Sequence, residues 1–380
     1  MRAFVFTDRA LERQAGRFVW LSINGEKREN AAVTKRLGLN AYPTFYVLDP
    51  GDGSVALRWV GGATTPQLVH ILDDGASTVA RRGHARDALA RADSLYAASS
   101  YAEAAKEYEA ALAGKPASWP SRRRVTESLL FALSTAGEYE RCAQHAAEAL
   151  AMNGRGAAAL TAAANGLDCA LSLPPEHARR KEWVDAFEAK SRALVADTTF
   201  TVSADDRSGV YITLADAREK AGDDAGRKKV LGEWASFLEG AAARAKTPEQ
   251  RSVFDPHRLS AYLELEQPER AIPMLEATAR DFPDDYNPYQ RLATAYKAMK
   301  RWPDALAASD SAVTRAYGPR KLLILQTRTD IYLGMADSTA ARRTLDEAVS
   351  LAEGLPEGQR SDRTIASLRK RREGLGASSR

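Results

Sequence analysis

The stretch Leu292–Ala312, LATAYKAMKRWPDALAASDSA, carries the clearest structural pattern in this chain. It sets bulky, aromatic and small residues at spacings that suit two consecutive helices. These residues are Leu292, Ala293, Tyr296, Ala305 and Ala312. Two antiparallel helices approach closely only where the residues at their crossing are small. The pattern therefore predicts a pair of packed antiparallel helices.

The same pattern recurs on both sides of this stretch, with one weaker copy in the middle of the chain. The copies are marked by Ala92, Leu95, Ala104, Tyr108, Ala111 and Pro116; Leu130, Leu133, Gly137, Cys142, Ala146 and Ala149; Leu214, Ala215, Gly222, Leu231 and Trp234; Leu259, Tyr262, Ala271, Leu275 and Pro283; and Leu325, Tyr332, Ala341, Leu345 and Ala348. The small residue of the second helix recurs at Ala271, Ala305 and Ala341, at intervals of 34 and 36 residues. A recurring period of this length predicts a stacked array of helix pairs.

This register resembles that of tetratricopeptide repeats over most of the chain after residue 85. The resemblance implies an all-α solenoid over residues 87–380 that accepts a protein or peptide ligand in a groove. Residues 155–207 depart from the regular pattern, with Pro174-Pro175 and a Thr-rich loop, and are expected to be degenerate repeats. The basic segment Thr364–Arg372 is expected to form a terminal cap helix, which repeat arrays need at their ends.

The first helix of each pair lines the groove in this family. By the repeat register, the groove-lining positions are Ser260, Gln290, Thr294, Lys297, Gln326 and Asp330. Some family members hold a peptide's terminal carboxylate with Asn and Lys at such positions. Here Ser260, Thr294 and Asp330 stand where Asn would be expected, which argues against that clamp. An ordinary solvated polar surface is the alternative interpretation.

Residues 1–75 have a different character and predict an α/β module. Apolar runs at Phe18–Ile23, Thr44–Leu48 and Val55–Val60 predict strands, the last two forming a hairpin around an Asp-Pro-Gly-Asp-Gly turn. Helices are predicted over Glu29–Leu37, ended by a glycine, and from Thr64 or Thr65 to about Asp73. The predicted organisation is therefore a module of residues 1–75, a linker of residues 76–86 and the repeats of residues 87–380.

The order of these elements, together with Thr7-Asp8, Phe18-Val-Trp-Leu and Tyr42-Pro43-Thr44, resembles the second half of a thioredoxin-like fold of the kind found in bacterial envelope proteins. The resemblance implies that Pro43 is cis and that Tyr42, Pro43 and Thr44 form a loop facing the substrate or peptide. Only about 5–6% of X-Pro bonds in folded proteins are cis, so this expectation depends on the resemblance.

The module predicted in this way is incomplete. The family's first strand and its Cys-x-x-Cys would precede the helix that Met1–Gln14 is expected to continue, and that strand lies in the middle of the family's sheet. Unpaired buried backbone groups cost about 1–3 kcal/mol each, so a missing central strand would be severely destabilising. Either the true start lies upstream of Met1, or another segment fills the gap.

The chain has two cysteines, Cys142 and Cys169, which excludes a disulfide-stapled scaffold although one bond is possible. Each lies on an apolar helical stretch and is expected to be a buried thiol that packs as a small hydrophobic residue. Neither has a second cysteine three residues away. The sequence as it stands therefore predicts no redox-active cysteine pair and no catalytic residue.

Other chemistries find little support. The histidines at positions 70, 84, 145, 177 and 257 lack ligand spacing, and no metal or cofactor is expected. The basic clusters at 122–124, 179–181 and 370–372 have acidic neighbours, and the formal net charge is only +4, so nucleic-acid binding is not expected. No apolar run is long enough to predict a membrane span. With Met1 as the true start the chain would be cytoplasmic; with a lost upstream signal it would belong to the bacterial envelope.

Three functions follow as hypotheses. The first is a protein–protein interaction scaffold in which the repeats bind a partner and the redox-inactive thioredoxin-like module is a docking platform. The second is a thiol–disulfide oxidoreductase of the bacterial envelope whose Cys-x-x-Cys segment is missing from this chain. The third is a purely structural scaffold.

Overall fold

The computed structural model describes residues 1, 3–39, 41–80 and 87–377, and these form two compact units. The first unit consists of Met1–Val19 and Asn40–Trp234, and the second of Trp20–Leu39 and Ala235–Arg380. Residues 20–39 therefore belong with the C-terminal half of the chain. The division into a module, a linker and a repeat domain stays a prediction.

The described residues are mostly α-helical. The helices are α1 (Ala31–Arg36), α2 (Thr65–Ala80), α3 (Ala88–Ala97), α4 (Tyr101–Leu112), α5 (Arg122–Thr135), α6 (Tyr139–Met152), α7 (Ala157–Ser172), α8 (Arg180–Ala196), α9 (Ala204–Lys220), α10 (Asp224–Ala243), α11 (Pro248–Ser252), α12 (Asp255–Glu264), α13 (Ile272–Asp281), α14 (Tyr286–Ala298), α15 (Trp302–Arg315), α16 (Arg320–Gly334), α17 (Ser338–Glu353) and α18 (Asp362–Ala377). In the first unit α3 packs on α4, α5 on α6 and α7 on α8. In the second unit α14 packs on α15 and α16 on α17, while α12 packs on the 3₁₀ turn that leads into α13. The predicted helical-repeat architecture is confirmed.

The predicted small residues lie at the helix crossings. Ala271, Ala305 and Ala341, which set the repeat interval in the sequence, are all fully buried. Ala104 and Ala146 of the first unit are fully buried as well. Residues this small allow the helices of a pair to approach closely, which is why the interval could be recognised from the sequence.

Six turns that join consecutive helical segments share one backbone conformation. One residue in each turn has a positive φ of 57–77°: Ser99, Gly137, Gly222, Glu266, Lys300 and Ala336. The amide of the next residue donates to the carbonyl five positions earlier, at 2.8–2.9 Å. This is the Schellman arrangement, which satisfies the last carbonyls of a helix. Four of the six positions carry a side chain, which this conformation disfavours.

The N-terminal sheet is a hairpin of β1 (Thr44–Leu48) and β2 (Val55–Val60), paired antiparallel with Thr44 opposite Val60. Both strands have the predicted bounds. One side of the hairpin packs on α2 through an apolar cluster that includes Val47, Leu57, Leu68 and Ile71. What the structure shows at the N-terminus is thus a small antiparallel sheet with a helix against it, and the thioredoxin-like module stays a prediction.

Two predicted elements of the N-terminal region are wrong. Phe18–Ile23 is not a strand, and Val19 and Leu21 are 89% and 75% exposed. A strand needs a neighbour for its backbone groups, and the part of the chain that the structure describes pairs only β1 with β2. Met1–Gln14 is not a continuous helix either. It forms turns and a 3₁₀ helix, Arg9–Gln14, because Asp8 accepts a hydrogen bond from the Ala10 amide at 2.9 Å and caps a new element there.

The remaining elements of this region agree with expectation. The helix predicted over Glu29–Leu37 is present as a 3₁₀ turn followed by α1, and the Tyr42–Pro43 peptide bond is cis, as the resemblance implied. Helix α2 continues past its predicted end near Asp73 to Ala80. It therefore includes the beginning of the predicted 76–86 linker, and residues 81–86 lie outside the described residues.

The expectation of two free thiols is wrong, because Cys142 and Cys169 form a disulfide. Cys142 lies on α6 and Cys169 on α7, and their Cα atoms are 6.1 Å apart. Both residues are fully buried, as expected. The bond joins the second helix of one pair to the first helix of the next pair.

A buried ionic network fixes α2 against the first repeats. The Arg124 guanidinium donates to both carboxylate oxygens of Asp93, at 2.8 and 3.1 Å, and through Nε to Asp74 on α2 at 2.6 Å. The Tyr108 hydroxyl donates to Asp93 at 2.8 Å. Burial and the adjacent Asp93 carboxylate raise the pKa of Tyr108, so its phenol remains a hydrogen-bond donor. Asp93 is 1% exposed and depends on these two donors.

Arg58 fixes the opposite side of the hairpin. Its side chain is 1% exposed and donates to the Ser99 hydroxyl at 2.9 Å, in the turn between α3 and α4. The guanidinium lies 5.9 Å from the Tyr46 ring and 6.0 Å from the Tyr96 ring, within the range of cation–π attraction. The hairpin is therefore attached to the first helix pair by directional contacts.

Two glycine substitutions should have opposite effects on stability. Gly137→Ala should lower the free energy of unfolding by about 1 kcal/mol, because Gly137 has φ +77° and an added Cβ would meet no other atom. Gly209 lies inside α9, and an added Cβ there would also meet no other atom. Gly209→Ala should therefore raise the free energy of unfolding by about 0.5–1 kcal/mol, because alanine favours the helix more than glycine does. Urea denaturation of the full chain measures both. Shifts in the same direction would contradict the left-handed turn at Gly137.

We expect Arg124→Met to lower the free energy of unfolding by about 3–5 kcal/mol, because it leaves the Asp93 carboxylate buried without its cation. The control is Arg91→Ala, which removes an exposed ion pair to Glu107 and should cost less than about 1 kcal/mol. Thermal and urea denaturation measure both variants. A cost for Arg124→Met no larger than that of the control would show that Asp93 is adequately solvated without Arg124.

Candidate functional site

The predicted groove residues lie on the first helices of the last pairs, all in the second unit. Ser260 is on α12, Gln290, Thr294 and Lys297 are on α14, and Gln326 and Asp330 are on α16. Spacings of three and four residues place the members from one helix on a single face of that helix. Ser260 is exposed and the others are half-buried.

An ion triad crosses this face. Lys297 Nζ lies 2.8 Å from Asp330 Oδ2, and Asp330 Oδ1 accepts a hydrogen bond from Arg371 of α18. Partial burial alone would raise the pKa of Asp330. The hydrogen bonds and positive charges of Lys297 and Arg371 outweigh that effect, and the net pKa lies below its ordinary value. We call Lys297, Asp330 and Arg371 the Asp330 triad.

The amide and hydroxyl side chains beside the triad are partly engaged. Gln290 donates from Nε2 to the Thr327 hydroxyl on α16 at 2.8 Å. Thr294 donates to the Gln290 carbonyl within α14, and Ser260 donates to the Pro256 carbonyl within α12. The structure therefore brings Gln290 and Lys297 into contact with α16. The hydrogen bonds of Ser260 and Thr294 stay within their own helices.

Two residues of this face were not predicted from the sequence. Leu323 on α16 is 52% exposed and lies three residues before Gln326, on the same stripe. Arg371 lies on the predicted cap helix, outside the repeat pattern, so the register could not place it. Leu323 could have been found from its spacing to Gln326 and Asp330, whereas Arg371 required the packing of α18.

The predicted Tyr42-Pro43-Thr44 loop lies in the first unit and leads into β1, whose first residue is Thr44. Tyr42 is 52% exposed, and the Thr44 hydroxyl donates to the Ala41 carbonyl at 2.8 Å. The Pro43 carbonyl accepts from the Gly61 amide at 2.9 Å, which closes the open end of the hairpin. The role of this loop as a substrate- or peptide-facing element stays a prediction.

The three basic clusters are engaged within the protein. Arg122 donates to carbonyls at the end of α4 and in the loop that follows it, and Arg124 is held by Asp93. Arg179 stacks on the Trp183 ring at 4.3 Å, and Lys181 pairs with its neighbour Asp185 at 2.5 Å. In the last cluster, Arg371 belongs to the Asp330 triad. Most of this positive charge is therefore balanced internally.

The described part of the chain holds no group of three or more His, Cys, Asp or Glu side chains arranged to bind a metal ion. None of its helices is long and apolar enough to cross a membrane.

No protein-family model matches this chain, and neither does any curated protein sequence. Solved structures that resemble it are helical-repeat proteins. A tetratricopeptide repeat protein from Parabacteroides merdae is 14% identical over 76% of this chain and 98% of that chain, with a TM-score of 0.42. The TPR2AB domain of yeast Sti1 in complex with pHSP90 is 15% identical over 77% and 99%, with a TM-score of 0.27. Yeast Tom70 is 13% identical over 79% and 65%, with a TM-score of 0.39. The helical-repeat assignment itself rests on the chain's own helix pairs and register.

Lys297→Met should raise the pKa of Asp330 towards its ordinary value, because a cation that stabilises the carboxylate is lost while the burial remains. A lowered pKa stabilises the fold at pH values above the ordinary Asp range, and this stabilisation is lost as the pH falls through the lowered pKa. The variant should therefore have a lower free energy of unfolding than the wild type at neutral pH. An NMR titration of the Asp330 carboxyl carbon measures the shift.

Lys300→Met is the matched control, because Lys300 is an exposed lysine in the turn that follows the same helix. The pKa of Asp330 should stay at its wild-type value in this variant. Equal shifts in the two variants would show that overall charge, and not the contact with Lys297, sets the pKa.

Proposed function

We propose that this chain is a non-enzymatic interaction protein that binds an extended segment of a partner protein along the first-helix face of α12, α14 and α16, beside the cap helix α18. The observation that carries the proposal is the stripe on α16, where the exposed Leu323 is followed by Gln326 and then by Asp330 of the triad. Leu323 offers an apolar contact, and its polar neighbours offer hydrogen bonds. A partner segment in extended conformation needs both kinds of contact.

The polar residues of this face suit backbone recognition. An extended chain presents unpaired N–H and C=O groups. Gln326, half-buried on α16, carries both a donor and an acceptor on one side chain, and its contact with the Leu322 carbonyl is long, at 3.4 Å. Gln290 donates from Nε2 to the Thr327 hydroxyl and its amide oxygen is buried, so it holds α14 against α16 while Gln326 offers the accessible amide. The face can therefore bind main-chain groups without selecting a charged side chain.

A terminal carboxylate is not the anchor in this proposal. The Lys297 ammonium already holds Asp330 at 2.8 Å, and Arg371 holds the same carboxylate. An incoming carboxylate would have to compete with Asp330 for both cations. This agrees with the departure from the clamp residues seen in the sequence, where Asp330 replaces an expected Asn.

We further infer that the sheet and α2 are an incomplete, redox-inactive thioredoxin-like module that acts as a docking platform. The order of its elements and the exposed Tyr42 support this inference. The alternative function, a thiol–disulfide oxidoreductase, receives no support from the described residues. Cys142 and Cys169 are the only cysteines of the sequence, and both are consumed in one buried disulfide.

The groove is tested with peptides selected from a random phage-displayed library on the full-length wild-type chain. Leu323→Asp should weaken their binding at least about tenfold, since it removes an apolar contact and places a charge in the groove, and about 1.4 kcal/mol corresponds to a factor of ten. Fluorescence polarisation with the synthesised peptides measures the dissociation constants.

The control is Arg342→Asp, which introduces the same residue at an exposed position on α17, the second helix of the pair. It should leave peptide binding within about twofold of wild type. If the peptides bind Leu323→Asp as tightly as wild type, the binding site lies elsewhere on the protein. A failure to enrich any peptide would overturn the proposal of an extended ligand.

A further inference from the structure

The disulfide of the first unit is sealed inside the protein. Cys142 and Cys169 are both 0% exposed and are 27 positions apart in the sequence. Their Cα separation of 6.1 Å lies within the range that a disulfide can bridge. The bond therefore crosses the interface between α6 and α7 and not a surface loop.

The helices that carry the bond are tightly packed, and both cysteines are fully buried. One helical turn before Cys169, a Cβ added at Gly166 would lie 2.6 Å from the Phe187 ring and 2.9 Å from the Ala146 Cβ. The Cys142 sulfur lies 3.8 Å from the Leu130 carbonyl oxygen. Thiol–disulfide exchange requires a thiolate to reach one sulfur of the disulfide directly. In the closed unit neither sulfur offers such access.

We propose that Cys142 and Cys169 are oxidised by thiol–disulfide exchange before α6 and α7 close on each other, and that the chain consequently matures in an oxidising compartment. This proposal makes the nascent or partly folded chain the substrate of a disulfide donor. It does not depend on the proposed groove.

The reaction balances in two exchange steps. One cysteine loses its proton, and its thiolate attacks the donor disulfide, which forms a mixed disulfide and releases one donor thiolate. The second cysteine then loses its proton and attacks the mixed disulfide, which forms the Cys142–Cys169 bond and releases the second donor thiolate. The chain loses two electrons and two protons, and the donor is reduced to two thiols.

The same burial explains why the bond would be permanent and not a switch. Structural disulfides persist in secreted and periplasmic proteins, whereas glutathione and thioredoxin keep cytosolic thiols reduced. A cysteine pair that must be oxidised before it is buried therefore favours the bacterial envelope over the cytoplasm, the two locations that the sequence left open. Small-molecule reductants should reach the bond only after the first unit opens.

The test uses the full chain secreted to a bacterial periplasm. Denatured in the presence of a maleimide reagent, the protein should show no free thiol. Reduction by dithiothreitol should be at least about tenfold slower for the native protein than for the protein in urea, because opening must precede exchange. The control is the Cys142→Ala/Cys169→Ala double variant, whose thermal midpoint should not respond to the reductant, whereas the wild-type midpoint should fall.

Two outcomes would overturn the inference. Two free thiols per chain in the secreted protein would show that the pair is not oxidised even where a disulfide donor is available. Equal rates of reduction in native and denatured protein would show an accessible bond that can exchange after folding. If the double variant fails to fold, the comparison of reduction rates on the wild-type chain still decides between these results.

Discussion

Helices of this protein approach one another closely at fully buried alanines, and the packing of the larger side chains requires this close approach. Ala104, Ala146, Ala305 and Ala341 bury little apolar area themselves, but they let the larger side chains around them interdigitate. Each helix pair in such an array contacts only its neighbours. An apolar face is consequently left at each end of a series of pairs, and a covering element is needed there.

The first pair of the first unit and the last pair of the second unit are covered by different physical means. Helix α18 covers the last pair with apolar side chains, among them Ile365 and Leu368. The first pair is covered through charged groups instead, because Arg58 enters the α3–α4 turn and Arg124 joins α2 to Asp93. Apolar contact is non-directional, whereas a buried carboxylate accepts only an arrangement that satisfies its oxygens. The hairpin and α2 are therefore held in one position on the first pair.

The sequence predicted those features that depend on local spacing, which is why the helix pairs, their turns and both strands of the hairpin were found. It failed where partners come from elsewhere in the chain. Phe18–Ile23 has a strand's composition, but composition does not supply a neighbouring strand. The disulfide depends on the packing of α6 against α7, which brings residues 27 positions apart to within 6.1 Å. Arg371 joined the candidate site through α18, which lies outside the repeat register.

The Asp330 triad bears on how a partner could be selected. Cations that are already paired attract an acidic partner only weakly over distance, so electrostatic steering of association would be small. Selectivity would then come from contacts made after docking, at Leu323 and the Gln326 amide. Contacts of this kind act mainly on the dissociation rate. A groove of this composition would therefore distinguish partner segments by their apolar side chains and backbone shape, and net charge would matter little.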